Sequence, residues 1–399
     1  MRMDRIRVLH IITRLIIGGA QENTLLTVEG LHARPEYAVA LLVGSDRGSE
    51  GTLLARARRG GVPLLEVPEL VRLPHPVKDP VALVRIAQAI RAGDYHIVHT
   101  HSTKAGLLGR LAARMMRTPI VIHTLHSLAF HPYQAWIANR SLRLMKRCLA
   151  PSTDHFISVS DAVRRGALAA GIGRPEQHST IYSGIELDRF LAAPANREVV
   201  RRRLGIPPDA PVVGKVARLF HLKGHAEFLP ALPAVVRAVP DVRVLLVGDG
   251  ILQSAIREEA RRLGVLDHLV FAGLVDPEGI PELLAAMDVV VHTSLREGLA
   301  RVLPQALAMG KPVVAYDLDG SPEVVLPAVT GHLVRPGDIE GLAGALIGLL
   351  RDPDERDRLG KNGRRLVGRL FGVERMVDQI HDVYTKLLEA KGPRVALAR

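Results

Sequence analysis

The chain has few of the features that mark secreted, membrane-spanning or nucleic-acid-binding proteins. It has 399 residues and a single cysteine, Cys148, so no internal disulfide forms and a reducing compartment suits it. No apolar run reaches the roughly 18 to 20 residues that span a bilayer. Residues 1–10 pass directly into a strand pattern without the apolar core of a signal peptide. We therefore expect a soluble cytoplasmic protein, with Cys148 buried and inert in an apolar helix.

Aromatic residues are also scarce, at 4% of the chain, while the formal net charge is +12. Few aromatic side chains leave few platforms on which bases could stack, and the basic residues are spread over many predicted helices. The positive charge still favours anionic ligands such as nucleotide phosphates or a lipid surface. We expect no nucleic-acid partner.

The densest basic cluster lies between Gln134 and Leu149, a segment that contains no acidic residue. Its members are Trp136, Arg140, Arg143, Lys146 and Arg147. Two interpretations stay open, a solvated helix face and a surface that docks on an anionic membrane. The second would make the protein peripheral on the inner face of the membrane.

Short β-branched apolar runs alternate with longer helical stretches, a pattern typical of parallel-sheet α/β domains. A first series of predicted strands runs from residues 8–12 to 156–159, and a second runs from 212–217 to 312–315. A break at residues 190–196 separates the two series, and the length of the chain also favours two domains. Two doubly wound domains that face one cleft would bring the ligand-binding carboxyl ends of both sheets together.

The sequence around Glu297 carries the most information about function. Glu297 and Gly298 stand at the entry of a predicted helix, where free backbone N–H groups attract phosphate, and Gln305 lies one to two turns inside. Pro304 is tolerated in the first turn and costly in the interior, so the regular helix should begin near Arg301 or Val302. This arrangement suits a nucleotide sugar.

Two other predicted strand ends carry groups that suit an anionic ligand. Arg218 and Lys223 follow the strand at residues 212–217, where two cations at a helix entry would clamp a diphosphate. Near the N-terminus, the adjacent glycines Gly18 and Gly19 would let the backbone approach a ligand closely. The alternatives are solvated cations and a tight turn without a ligand.

Four histidines lie near the ends of two predicted strands of the first domain: His99, His101, His123 and His126. A histidine at a strand end is often structural, but ligands also bind at these ends. Metal ligation is disfavoured because no acidic residue accompanies them at ligand spacing.

These motifs together resemble the family 4 retaining glycosyltransferases of the GT-B superfamily, the glycosyl transferases of group 1. The matching motifs are Ser294-x-x-Glu297-Gly298, Arg218-Leu219-x-x-x-Lys223-Gly224, the Gly18-Gly19 loop and Thr124-x-His126. The sequence departs from the family where Gln305 replaces a second glutamate. The resemblance implies two Rossmann-like domains, residues 1–190 for the acceptor and 191–375 for the nucleotide sugar, with residues 376–399 as a helix that crosses back to the first domain.

The resemblance also implies roles for individual residues. Catalytic roles would fall to His126, Arg218, Lys223 and Glu297, donor contacts to Gly18, Gly19, Gly248, Val275, Gly298, Leu299 and Gln305, and an acceptor-side position to His101. The implied reaction moves a hexose from a nucleoside diphosphate sugar to a hydroxyl of a sugar or lipid-linked acceptor, with retention and without a cofactor or metal. It would serve cell-envelope polysaccharide or glycolipid synthesis.

Two alternatives to this reaction stay open. A nucleotide-sugar 2-epimerase shares the architecture, although no matching set of acids lies at the predicted strand ends. A non-catalytic nucleotide-sugar binder is the other alternative, because Gln305 lacks the charge of the family's second acid.

Overall fold

A computed structural model describes residues 5–45, 51–191 and 197–392. The chain divides into two compact units. Unit 1 runs to Gly184 and resumes at Val373, and unit 2 is Ile185–Gly372. Each unit is built around its own parallel sheet, which confirms the predicted α/β class with two Rossmann-like domains.

Unit 1 contains a seven-stranded parallel sheet in the order β3-β2-β1-β4-β5-β6-β7. Its strands are β1 Ile6–Ile12, β2 Tyr37–Gly44, β3 Leu64–Val67, β4 Ile97–His101, β5 Ile120–Leu125, β6 His155–Ser158 and β7 His178–Thr180. Its helices before unit 2 are α1 Gly19–His32, α2 Leu54–Arg59, α3 Lys78–Gly93, α4 Thr103–Met115, α5 Trp136–Leu149 and α6 Asp161–Ala169. Helices cover both faces of the sheet, so the central strands are buried on both sides and read as nearly continuous apolar runs.

Unit 2 contains a six-stranded parallel sheet in the order β10-β9-β8-β11-β12-β13. Its strands are β8 Val212–Val216, β9 Arg243–Val247, β10 Leu269–Gly273, β11 Val289–His292, β12 Val313–Tyr316 and β13 Gly331–Val334. Its helices are α7 Leu187–Leu191, α8 Arg197–Arg203, α9 His225–Phe228, α10 Leu232–Ala238, α11 Gln253–Arg262, α12 Ile280–Ala285, α13 Val302–Ala308, α14 Ile339–Arg351 and α15 Pro353–Leu370. The chain then returns to unit 1 as α16, Val373–Ala390, which packs against α1.

Two features of the secondary structure differ from the sequence-based expectation. The edge strands β7 and β13 are absent from the predicted series, because they have three and four residues and no run of β-branched side chains. The helix expected from His225 to Val239 is divided into α9 and α10, because Pro230 and Pro233 lack the N–H groups that a continuous helix requires.

The division between the units lies at residues 184 and 185, six residues before the predicted boundary. Helix α7 packs on α13 and so belongs to unit 2, with Phe190 buried. The predicted break at residues 190–196 falls mostly outside the described residues. The return to unit 1 begins at Val373, slightly earlier than the predicted residue 376.

Helix α5 differs from the sequence-based expectation in the exposure of its cysteine. Cys148 is exposed, not buried, because the buried side of α5 is formed by Lys146 and Leu149. None of the helices that the structure describes is long and apolar enough to cross a membrane.

In both sheets the strand order reverses direction once, between β1 and β4 in unit 1 and between β8 and β11 in unit 2. In open parallel sheets a ligand crevice lies at the carboxyl ends of the two strands that flank such a switch point. The loops that follow these four strands therefore define where a ligand site is expected.

Candidate functional site

An ion pair joins the two loops at the switch point of unit 2. Lys223 lies between β8 and α9, and Glu297 lies between β11 and α13. The Lys223 ammonium donates a hydrogen bond to Glu297 Oε1, and the two side chains keep 21% and 25% of their surface exposed. The structure therefore brings together two of the four predicted catalytic residues, at a place that a small ligand can reach.

Backbone contacts hold these two loops against each other. Leu295 N donates to Leu222 O at 2.9 Å, and Thr293 Oγ1 donates to Gly224 O at 2.6 Å. Gly224 has a φ of 68°, and a Cβ there would lie 1.7 Å from the Thr293 carbonyl oxygen. Leu222 also has a positive φ, 66°, which is a strained conformation for a leucine. The position of Lys223 is thus fixed by a tightly seated loop.

A buried lysine below the loops was not found from the sequence. Lys215 on β8 is 1% exposed and donates from Nζ to Thr293 Oγ1 at 2.6 Å, which supports the bond from Thr293 to Gly224. Burial lowers the pKa of Lys215 to about 7, and the Lys223 charge adds to this effect. The only sequence signal is a lysine within the apolar run Val212-Val213-Gly214-Lys215-Val216.

The charges around Glu297 keep it ionised. Burial raises its pKa, but the Lys223 ammonium and the hydrogen bonds from Lys223 and Ser294 more than offset this, so the net pKa lies below the ordinary value. The backbone N–H of Glu297 donates to Asp319 Oδ2 at 2.6 Å, and burial raises the pKa of Asp319. A carboxylate at Glu297 is therefore available to accept hydrogen bonds from hydroxyl groups.

Arg218 occupies the same loop as Lys223. Its guanidinium lies 5.1 Å from the ring centre of Phe220, and its carbonyl contacts His225 Nε2 at 3.0 Å. Gly248 lies beside this loop: its φ is 131°, and a Cβ there would lie 2.2 Å from the Ala217 carbonyl oxygen. Gly248 therefore permits close approach between two loops.

The remaining predicted donor residues of unit 2 are buried or half-buried. Gly298 and Leu299 are buried, and Gly298 O accepts from Gly320 N at 3.1 Å. Helix α13 runs from Val302 to Ala308, as predicted, and its seven residues give it only a small dipole. Gln305 is 9% exposed, and no residue in the described part of the chain hydrogen-bonds its side-chain amide. Val275 is half-buried in the loop after β10.

In unit 1 the switch point carries the glycine pair and the end of β4. Gly18 is half-buried at the end of the loop between β1 and α1, and Gly19 is exposed as the first residue of α1. Thr13 Oγ1 in the same loop contacts Ser102 Oγ after β4 at 2.8 Å. Ser102 has φ 62° and ψ 170°, a conformation that is essentially restricted to glycine. Strain of this kind is concentrated at functional sites and was not foreseen from the sequence.

A continuous chain of hydrogen-bonded side chains crosses the sheet of unit 1, and we call it the histidine relay. Its members, in order, are Thr124, His99, Tyr384, His10, His101 and His126. The joining distances are 2.7 Å (Thr124 Oγ1 to His99 Nε2), 2.6 Å (His99 Nδ1 to Tyr384 OH), 3.2 Å (Tyr384 OH to His10 Nε2), 3.0 Å (His10 Nδ1 to His101 Nε2) and 3.1 Å (His101 Nδ1 to His126 Nε2). His10 and Tyr384 were not among the predicted site residues.

The relay changes the interpretation of His101. His101 is 1% exposed, and its two ring nitrogens contact His10 and His126, so a direct ring contact with an acceptor does not fit. His10, His99 and His101 offer nitrogens within 4.8 Å of one another. However, the His99 and His101 rings stack at 4.5 Å and 25°, so their in-plane lone pairs do not converge on one ion. We assign no metal to this cluster.

Comparisons with known proteins agree with the fold. Residues 18–184 match the glycosyl transferase 4-like domain, and residues 196–366 match glycosyl transferases group 1. A GDP-mannose-dependent alpha-(1-6)-phosphatidylinositol monomannoside mannosyltransferase of Mycolicibacterium smegmatis is 31% identical over 77% of this chain and 80% of its own. The UDP-Gal:alpha-D-GlcNAc-diphosphoundecaprenol alpha-1,3-galactosyltransferase of Escherichia coli is 26% identical over 97% of this chain and 99% of its own.

Among solved structures, Anabaena Alr3699/HepE in complex with UDP and glucose matches with a TM-score of 0.82 at 24% identity, covering 96% of this chain and 100% of that one. WaaG, a glycosyltransferase involved in lipopolysaccharide biosynthesis, matches with a TM-score of 0.74 at 17% identity, covering 94% of this chain and 99% of that one. The architecture is therefore that of the GT-B glycosyltransferases.

The chain itself belongs to the group 1, family 4 type of these enzymes, and it is a glycosyltransferase. The predicted family and enzyme class are confirmed.

Proposed function

We propose that this protein is a retaining hexosyltransferase that uses a nucleoside diphosphate sugar as donor and a hydroxyl of a lipid-linked or saccharide acceptor. The observation that carries the proposal is the Lys223–Glu297 ion pair at the switch point of unit 2, where a cation and a carboxylate face the same ligand position. The cation suits a diphosphate and the carboxylate suits sugar hydroxyls. The donors and lipid acceptors in the names of the bacterial relatives support the same substrate class.

In the proposed reaction, the bond between the sugar C1 and the diphosphate oxygen breaks. A bond from C1 to the acceptor oxygen forms on the same face of the sugar. The acceptor proton passes to an oxygen of the leaving diphosphate, so charge and atoms balance. Arg218 and Lys223 stabilise the negative charge that develops on the diphosphate, and we propose that no metal ion takes part.

The other predicted site residues have supporting roles in this proposal. Glu297 accepts hydrogen bonds from donor hydroxyls and also restrains Lys223 before the donor binds. Gln305 holds the ribose through its side-chain amide.

The test begins with donor selection. Thermal shifts with a panel of UDP- and GDP-sugars identify the donor, since a ligand at 100 times its dissociation constant stabilises by about 2.7 kcal/mol. Transfer to cell-envelope lipid extracts is then followed by mass spectrometry, and the anomeric configuration of the product is read by NMR. We expect Arg218→Ala, Lys223→Ala and Glu297→Gln each to lower turnover on the order of 100-fold.

Lys361→Ala is the matched control, because Lys361 forms an ion pair with Asp357 on the exposed surface of α15. It should transfer sugar at the wild-type rate. If Lys223→Ala and Glu297→Gln both keep at least half of wild-type turnover, the site is wrongly placed. A product of inverted configuration would contradict retention.

We also propose that α5 docks the enzyme on an anionic membrane. Trp136, Ile137 and Leu144 are 70%, 71% and 60% exposed, which is unusual for large apolar side chains. Arg140 and Arg143 lie on the same helix, and the Arg140 guanidinium stacks over the Trp136 ring at 5.6 Å. An exposed helix with apolar side chains among arginines suits the boundary between lipid headgroups and acyl chains.

Flotation with phosphatidylglycerol and phosphatidylcholine vesicles tests this docking. We expect binding only to the anionic vesicles, and weaker binding at high salt, because exposed charges are screened over about 8 Å at physiological ionic strength. Arg140→Gln should weaken binding, and Arg262→Gln on α11 is the control. Equal recovery with both lipids at low salt would leave a solvated basic face.

A further inference from the structure

Lys215 lies near the carboxyl end of β8, below the two loops of unit 2 that carry Lys223 and Glu297. It is 1% exposed, and in the described part of the chain its one hydrogen bond runs from Nζ to Thr293 Oγ1 at 2.6 Å. The Thr293 hydroxyl has a single proton, which it donates to Gly224 O at 2.6 Å. Lys215 is therefore the donor in its contact with Thr293, whether its side chain is an ammonium or a neutral amine.

This environment suits a neutral amine better than an ammonium. An ammonium has three N–H donors, and two of them would be buried here without an acceptor. None of the described carboxylates forms an ion pair with Lys215, and the ring centre of Phe228 lies 5.6 Å from Nζ, near the outer limit of a cation–π contact. Burial lowers the pKa of Lys215 to about 7, so both forms are populated near neutral pH.

The charged and titratable groups around Lys215 come from the loop after β8, from α9, and from β11 with its following loop. They are Lys223, His225, Glu227, His292 and Glu297. Next to burial, the Lys223 charge lowers the pKa of Lys215, whereas Glu227 and Glu297 raise it. Burial lowers the pKa values of His225 and His292 to about 4 and about 3, so both histidines are neutral above about pH 6. A proton that this cluster exchanges just above neutral pH therefore belongs to Lys215.

A bound diphosphate would change the charges that act on Lys215. In the ligand-free site the Lys223 ammonium is paired with the Glu297 carboxylate. Under the proposed function Lys223 also binds the diphosphate, so the Glu297 charge is less fully neutralised, and the diphosphate adds negative charge of its own. Both changes favour the ammonium form of Lys215, because a nearby negative charge stabilises the protonated form of an amine.

We propose that Lys215 takes up a proton when a nucleoside diphosphate binds, and so acts as a positioning residue that adds a buried positive charge below the diphosphate and holds the Lys223 loop through Thr293. One proton passes from solvent to the Lys215 amine for each nucleotide bound, and no covalent bond to the ligand forms. The ligand rests on the proposed function, whereas the neutral amine of the ligand-free enzyme does not.

The proposal requires nucleotide binding to weaken as the pH rises. A group whose pKa is higher in the complex than in the free enzyme strengthens binding fully below both pKa values and not at all above both. Between the two values the affinity falls by up to about ten-fold per pH unit for one proton. A lysine that only held the loop in place would contribute equally at every pH.

The protonation of Lys215 is measured first in the ligand-free enzyme by NMR. The chain has nine lysines, so ¹³C,¹⁵N-lysine labelling gives a simple side-chain spectrum, in which Lys215 is the signal missing from Lys215→Met. We expect its ¹³Cε and ¹⁵Nζ signals to titrate with a midpoint at about 7, while the exposed Lys361 stays an ammonium. An ammonium at Lys215 up to about pH 9 would overturn the proposal.

Proton uptake is then measured in the wild-type enzyme and needs no variant. UDP and GDP are titrated calorimetrically at pH 7.5 in two buffers of different ionisation enthalpy. We expect the nucleotide that binds more tightly to take up about half to one proton, and to move the midpoint of the Lys215 signals upward by about one pH unit or more.

Lys311→Met is the matched control for Lys215→Met. Burial lowers the pKa of Lys311 to about 8, but Lys311 precedes β12 at the opposite end of the sheet, where its Nζ lies 3.3 Å from Ala285 O. Between pH 7.0 and 8.5 we expect nucleotide affinity to fall about five-fold or more in wild type and in Lys311→Met, and by less than about two-fold in Lys215→Met. The terminal phosphate of the nucleotide titrates at about 6, below this range, and contributes equally in all three proteins.

Two results would overturn the proposal and leave the proposed function intact. One is nucleotide binding without proton uptake, and the other is the same pH dependence of affinity in wild type and folded Lys215→Met. If neither nucleotide binds to the wild-type enzyme, the proposed function and the ligand-linked proton both fail. A Lys215 that titrates at about 7 in the free enzyme would then be a structural amine only.

Discussion

Mild acid should destabilise unit 1 strongly, because its core keeps imidazoles in the neutral form. His10, His99, His101 and His123 are all at most 2% exposed, and desolvation is the main cause that lowers each pKa, to about 3 for His10. In the unfolded chain each returns to about 6.5. Below that pH the unfolded state binds more protons, so the free energy of unfolding falls with the pH until the folded-state pKa values are reached.

The size of the effect follows from the number of these histidines. Each contributes a slope that approaches about 1.4 kcal/mol per pH unit, and about 1 kcal/mol between pH 6.5 and 5.5. Four together remove about 4 kcal/mol over that unit, out of the 5 to 15 kcal/mol that stabilises a typical domain. Unit 2 has two comparable residues, His225 and His292, whose pKa values burial lowers to about 4 and about 3. It should lose about half as much.

Hydrogen exchange read by mass spectrometry separates the two units. Peptides from β4 and β5 report on unit 1, and peptides from β11 and β12 report on unit 2, between pH 7.5 and 5.5 after correction for the intrinsic exchange rate. We expect unit 1 to lose protection first. His10→Gln removes one titrating group and should reduce the slope by about 1.4 kcal/mol per pH unit, whatever its stability at pH 7.5.

A change of less than about 1 kcal/mol in unit 1 between pH 7.5 and 5.5 would refute this reasoning. So would a larger loss in unit 2. Either result would mean that water or structural relaxation admits protons to the core of unit 1 at little cost.

Two other predictions concern the site of unit 2. Gly224→Ala should abolish donor binding and destabilise the fold by clearly more than Gly264→Ala, which should cost about 1 kcal/mol. Both glycines have φ near 68°, but only at Gly224 would a Cβ meet a backbone oxygen, at 1.7 Å. Denaturant unfolding and donor thermal shifts compare the two variants, and equal losses would contradict the prediction. Gln305→Glu should stay active and bind nucleoside diphosphate as tightly as wild type or up to about five-fold more tightly, because a charged acceptor replaces a neutral one. If wild type binds no nucleotide sugar and Gln305→Glu gains both binding and transfer, Gln305 marks loss of function.

The fold was largely predictable because its signals are local. Apolar runs separated by helical stretches gave the central strands, each of which is buried by helices on both faces. The edge strands β7 and β13 carry no such signal, since an edge strand is held by one neighbour and needs few apolar residues. The interruption of the helix at Pro230 follows from the sequence itself, because proline lacks the N–H that a continuous helix requires.

The site of unit 2 was predictable to a similar degree, because motifs at strand ends carry it. Lys223 and Glu297 lie 74 residues apart, yet each stands in a recognisable loop after a strand, and parallel strands bring such loops to one edge. Lys215 was missed because its role depends on Thr293, a contact between two strands that composition does not reveal.

The histidine relay of unit 1 could not be predicted from the sequence, because it also depends on contacts between residues that are far apart in the chain. Tyr384 and His10 are 374 residues apart, and they meet only because α16 returns to unit 1. His101 was expected to face an acceptor, since it stands at a strand end. Its actual environment depends on two other rings whose positions are set by the packing of the whole unit.

The side chains at the two switch points differ in charge. In unit 2 the candidate site residues are charged and partly exposed, as the Lys223–Glu297 pair shows. In unit 1 they are neutral, buried imidazoles that share hydrogen bonds. Under the proposed function the cations of unit 2 suit the diphosphate, because that group gains negative charge as it leaves.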